Sequence, residues 1–223
     1  MNRLISRLRI FPGAAVSAAL AVSAPLPLAG GLVALAAPAA AQGENDLDRA
    51  VEALRAITTM QADFLQTDRA GRAIAGKLTI KRPGRIRFEY QKGVPMLIVG
   101  DGKALTMVDY EVRQVQRWPI GNSPLGALLD PRRDVKRFGT LQPSSDPGVV
   151  AIEVRDRSHP EYGVITLIFR RKAGAPGGLE LISWVALDSQ NQRTTIRLGN
   201  QRYGMAVSDN AFRFVDPRPA GRR

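Results

Sequence analysis

Apolar and polar residues alternate one for one along much of this chain. In RIRFEY, Ile86, Phe88 and Tyr90 fall on one side and Arg85, Arg87 and Glu89 on the other. A period of two marks a strand with one buried face, and therefore an antiparallel sheet. GRAIAGKLTI follows the same rule after a turn at Asp68–Gly71: Ile74, Gly76, Leu78 and Ile80 alternate with Ala73, Ala75, Lys77 and Thr79. MLIV and ALTMV flank a tight turn centred on Asp101–Gly102. EVRQVQRW, VVAIEVRD, GVITLIFRR, LELISWVALD and RTTIRLGNQRYG continue the pattern. The spacing predicts about nine to eleven strands in one long antiparallel meander.

The period lengthens in two places. Residues 45–57 read as an amphipathic helix capped by Asn45 or Asp46, with Leu47, Val51, Leu54 and Ile57 on one face and Asp48, Arg49, Glu52 and Arg55 on the other. NSPLGALLD offers Ser123 as N-cap and Pro124 at the first helical position. Leu125, Leu128 and Leu129 give that helix an apolar face, and Gly126 weakens it. A second short helix is expected over PRRDVKRF. A weak, leucine-bearing helix between strands either caps a core or forms a movable lid.

A curved sheet with one apolar face and so few helices encloses either a dry core or an apolar hollow. The candidate lining residues are Leu78, Ile80, Ile86, Phe88, Tyr90 and Met107 from the strands, with Val51 and Leu54 from the first helix.

The stretch from Gly71 to Lys77 imitates a phosphate-binding loop, but the position that needs Ser or Thr for Mg²⁺ is Leu78. The alternation also runs straight through Lys77, where such a loop turns from strand into helix. Nucleotide binding is therefore not expected. With no cysteine and a single histidine, His159, no zinc site is expected. There is no nucleophile elbow and no marked carboxylate pair, so neither a catalytic residue nor a cofactor is proposed from the sequence. The aromatic and basic residues of RFEY fall on opposite strand faces, which argues against a nucleic-acid stacking groove.

The first 41 residues differ from the rest. Arg3, Arg7 and Arg9 precede a run rich in Ala, Leu and Val, and Ala39 and Ala41 form an A-x-A site. This is the pattern of a cleaved secretory signal, leaving residues 42–223 as a single domain. Prolines and glycines interrupt the run too often for a good membrane span. The lack of cysteine is unusual for neither an exported protein of this size nor a soluble one, and it offers no residue for N-terminal lipidation. The formal charge is +12, of which the signal holds three, and it favours acidic partners or anionic lipid head groups.

The order of amphipathic helix, MQADFLQT, GKLTIKRPGRIRFEY, LIVGDGKAL, GNSPLGALL and final FRFVDP resembles the outer-membrane lipoprotein carrier family, the LolA-type periplasmic chaperones. The resemblance implies an α+β fold: an unclosed, strongly curved antiparallel β-barrel, with α-helices forming a lid over an apolar hollow. It implies a monomeric periplasmic carrier that is not an enzyme. Its cargo would be acylated lipoproteins, taken from an inner-membrane ABC-type transporter and passed to an outer-membrane receptor or to the outer membrane itself. In the family an Arg of the K-R-P motif latches the lid; that position is Arg82. Ile86 stands where well-known relatives carry an aromatic residue, and FRFVDPRPAGRR stops where some continue into another strand. A carrier of another lipid, such as a glycolipid, and a lipid-sensing regulator are the alternatives on the same fold.

Overall fold

The structure, a computed structural model, describes residues 39–120, 123–133 and 135–219. Most of the expected secretory signal lies outside the described residues. Nine alternating stretches and two further segments, β1 and β7, form eleven strands: β1 (Thr59–Thr67), β2 (Ala73–Lys81), β3 (Arg85–Tyr90), β4 (Met96–Asp101), β5 (Ala104–Asp109), β6 (Gln114–Pro119), β7 (Gly139–Gln142), β8 (Val149–Arg155), β9 (Val164–Arg171), β10 (Leu179–Leu187) and β11 (Arg193–Tyr203). Among the described residues two α-helices accompany them, α1 (Ala39–Ala56) and α2 (Pro124–Leu129).

All neighbouring strands are antiparallel, in the order β6-β5-β4-β3-β2-β1-β11-β10-β9-β8-β7. The expected single meander is thus two meanders, joined where the first strand meets the last. Met60 lies opposite Tyr203 and Phe64 opposite Leu198. Turn chemistry reports only on strands adjacent in sequence, so it could not reveal this pairing. β6 and β7 remain as free edges, and the barrel is unclosed.

Side chains on the two sheet faces do different work. On the concave side α1 lays Val51 and Leu54 against Val150, Ile152, Phe169 and Leu181. Beside this cluster, Met60, Phe64, Leu78, Ile80, Ile86 and Tyr90 form a second, and Trp184 and Leu198 touch both. The alternate residues of β4, Leu97 and Val99, point the other way and are covered with Val108 by Phe212 from the C-terminal segment.

Three local expectations change. The first helix starts at Ala39, so neither Asn45 nor Asp46 caps it. The preceding alanines are strong helix formers, and the Asp46 carboxylate instead pairs with Arg171 at 2.7 Å. The described residues on either side of position 134 form turns, not a helix. Their bonds, Arg133 N–H to Asp130 O and Phe138 N–H to Val135 O, close short turns, and Val135 is drawn fully into the α1 cluster. The strand β7, GTLQ, is too short for its alternation to stand out.

Candidate functional site

The concave wall is built on aromatic contacts. Phe64 meets Phe88 and Tyr90 edge-on, each with ring centroids 5.3 Å apart, and Phe88 meets Trp184 at 6.0 Å. Tyr90 donates its hydroxyl hydrogen to Gln66 Oε1 at 2.8 Å. Burial outweighs that bond and pushes the phenol up to about 12. Gly76 is glycine because the Glu89 carbonyl and the Phe64 ring close over it; a Cβ there would sit 2.3 Å from the Glu89 oxygen and 2.5 Å from two ring carbons. The residue that imitated part of a phosphate loop is a packing site. Lys77 projects from the opposite face and pairs with Asp63 at 2.8 Å.

Leu78, Ile80, Ile86, Phe88 and Tyr90 all meet in this wall. Val51 and Leu54 do not; they belong to the neighbouring cluster under α1. Met107 is half-buried, on the same face of β5 as Leu105, and lies opposite Ile98 on one side and Gln116 of edge strand β6 on the other. Phe64, Trp184 and Leu198 complete the wall and were missed from sequence. Phe64 had a usable signal, since Met60, Ala62 and Phe64 alternate in β1.

The helix α2 closes over this surface. The Ser123 hydroxyl oxygen accepts from Gly126 N–H at 3.2 Å while donating to Ile120 O at 2.8 Å, so the N-terminus is capped as expected. Leu129 enters the aromatic wall and Leu125 packs on its margin, whereas Leu128 and Ala127 enter the α1 cluster. The helix is therefore wedged between two apolar surfaces and does not rest on a single face. Every residue but Leu125 is buried.

The end of α2 is held from the β2–β3 turn. A six-residue helix leaves its last carbonyls without intrahelical donors. Arg82 Nη1 donates to Leu128 O, and Gly84 N–H donates to Leu129 O at 2.9 Å. Just beyond, Arg55 Nε of α1 donates to Pro131 O at 2.9 Å. Gly84 has a φ of +75° and packs on Gly102, where a Cβ on Gly84 would sit 2.4 Å from the Gly102 Cα. The contact is the physical reason for the glycine in KRPG, whereas Gly102 in GDGK is required by its own φ of +89°. Burial pulls the Arg82 guanidinium down to about 10, opposed by the Asp130 carboxylate, so it remains a cation at neutral pH. Its Nε is buried without a partner.

Among the described residues no cluster of three or more His, Asp or Glu side chains is placed to hold a metal ion. No described helix is long and apolar enough to cross a membrane. Residues 55–215 match the family described as Outer membrane lipoprotein carrier protein LolA. The chain belongs to this family. An outer-membrane lipoprotein carrier protein from Chromobacterium violaceum is 31% identical over 82% of this chain and 88% of its own length. One from Dechloromonas aromatica is 29% identical over 77% and 84%. Among solved structures, a LolA superfamily protein from Nitrosomonas europaea has a TM-score of 0.47 and 11% identity, covering 77% of this chain and 97% of that one.

Proposed function

We propose that this member of the LolA family is a periplasmic carrier that shields the acyl chains of lipoproteins between the sheet and its helices. The supporting observation is the wedged helix α2: an apolar cover, six residues long, tied down by Arg82 and Gly84. Each methylene hidden from water is worth about 0.8 kcal/mol, so acyl chains do not cross an aqueous space unaided. The hollow is filled by the protein's own Phe64, Phe88, Trp184 and Leu129. Cargo that displaces α2 exchanges one set of apolar contacts for another. Such an exchange is close to balanced, which suits a carrier that must also let go.

In this reading Arg82 is the latch. A hydrogen bond from a charged donor contributes roughly 1.5–3 kcal/mol, enough to favour closure and small enough to reverse. The donor of cargo is an inner-membrane ABC-type transporter, and the acceptor is an outer-membrane receptor or the outer membrane. The carrier works as a monomer and is exported by cleavage after Ala41; intact mass of the periplasmic form should begin at Gln42.

A two-step assay tests the function, with release from inner-membrane vesicles followed by transfer to outer-membrane vesicles. The wild-type chain should complete both steps. Arg82→Leu should accept cargo and release it poorly. Normal rates at both steps for Arg82→Leu would remove the latch. Failure of the wild-type chain to accept any lipoprotein, with a glycolipid found in its place by mass spectrometry of the periplasmic protein, would overturn the lipoprotein reading.

A further inference from the structure

The hairpin that holds α2 is itself held from the other side of the sheet. Lys81 ends β2 and Arg85 begins β3, and the two are register partners. Ile80 and Ile86 face the concave wall, so Lys81 and Arg85 lie together on the outer face. Like charges directly opposite one another force strands apart. A single carboxylate relieves this pair: Asp209 Oδ1 lies 2.6 Å from Lys81 Nζ and also contacts Arg85 Nη1. Lys81 Nζ donates in addition to Val207 O at 2.7 Å.

Asp209 is well placed because its own segment is anchored. It opens a 3₁₀ turn, Asp209–Phe212, capped by the Ser208 hydroxyl, which accepts from Asn210 N–H at 3.2 Å. Phe212 is buried against Leu97, Val99 and Val108. Arg87 Nη1 donates to Ala211 O and Arg213 O, both at 3.2 Å, and Thr59 Oγ1 donates to Met205 O at 2.8 Å. Only Arg82, Pro83 and Gly84 separate the two cations that Asp209 grips, and Arg82 and Gly84 supply the donors for the end of α2.

We propose that Asp209 is a positioning residue for the lid: by bridging Lys81 and Arg85 on the outer face, it sets the hairpin that presents Arg82 and Gly84 to α2 on the inner face. The C-terminal segment then acts on cargo release without touching cargo. Both cations hold the Asp209 carboxyl below its ordinary range, the hydrogen bond from Lys81 being the largest cause. The proposal rests on the reading of Arg82 as the latch, and its test separates the two.

Asp209→Asn keeps the shape and removes the charge. In the full mature chain it should raise amide exchange at Gly84, whose N–H reports the bond to Leu129 O, and slow transfer to outer-membrane vesicles. Ion pairs as exposed as these support a change of about threefold to fivefold in each. Asp209→Glu should restore both. Because Asp209 acts through the hairpin that carries both Arg82 and Gly84, adding Asp209→Asn to Arg82→Leu should slow transfer by less than the two single effects combined. Unchanged Gly84 exchange in Asp209→Asn would overturn the proposal, as would an effect on transfer that adds in full to that of Arg82→Leu. Normal transfer by Arg82→Leu would instead sink the latch, and Gly84 exchange would still decide whether Asp209 sets the hairpin.

Discussion

Shortening Leu129 to alanine tests whether α2 is a lid or simply part of the core. Leu129 is 5% exposed and its side chain sits in the aromatic wall. The substitution removes three carbons, worth about 2.4 kcal/mol in transfer from water alone. A cavity term raises the cost within the usual range of about 2–5 kcal/mol. The site lies beneath a six-residue helix and collapses readily, so the lower end applies, about 2.5 kcal/mol. If α2 opens as a unit, the open form rises about seventyfold relative to the closed. Binding of a fluorescent long-chain fatty acid should strengthen accordingly. Leu97→Ala is the control: Leu97 is 4% exposed and loses the same three carbons, but on the outer face beneath the C-terminal segment. It should lower the melting temperature comparably and leave fatty-acid binding unchanged. Equal gains in binding for both variants, or no gain for either, would refute the reasoning and make α2 an ordinary core element.

Lys77→Ala should leave cargo transfer nearly unchanged, since Lys77 is exposed on the outer face, while Leu78→Glu should abolish binding or folding by placing a charge in a fully buried wall position; chemical denaturation and the two-step assay read both. Gly76→Ala should destabilise the chain by about 1–3 kcal/mol through overpacking against the Glu89 carbonyl and the Phe64 ring, and combined with Phe64→Leu the loss should fall short of the sum of the two single losses in the same denaturation measurement, because only the ring's share is relieved. Tyr90 and Tyr203, two of the four tyrosines, are pushed up to about 12, chiefly by burial and for Tyr203 also by Glu180. Because their folded pKa values exceed the ordinary 10, their contribution to stability is intact below pH 10 and is lost as pH rises towards 12 and beyond. Ultraviolet titration should show both phenols ionising late, and a normal titration of Tyr90 in a chain that stays folded would contradict its burial.

The alternation of apolar and polar residues was enough to place nine of the eleven strands, all but β1 and β7, and to assign Ile86, Phe88 and Tyr90 to one face, because side-chain direction in a strand is a local property of the backbone. The Ser123 cap of α2 was legible for the same reason: donor and acceptor lie three residues apart. What joins these pieces depends on contacts between distant parts of the chain. A strand pattern says which face is buried but not which strand will be its neighbour, so the β1–β11 pairing that unites the two meanders waited on the folded sheet. Composition likewise could not divide the apolar residues into two clusters, or send Val51 and Leu54 to one and Leu78 to the other. A helix end demands donors but does not name them, which is why Gly84 N–H, Arg55 and the outer clamp of Asp209 were invisible until tertiary structure brought them within hydrogen-bond reach.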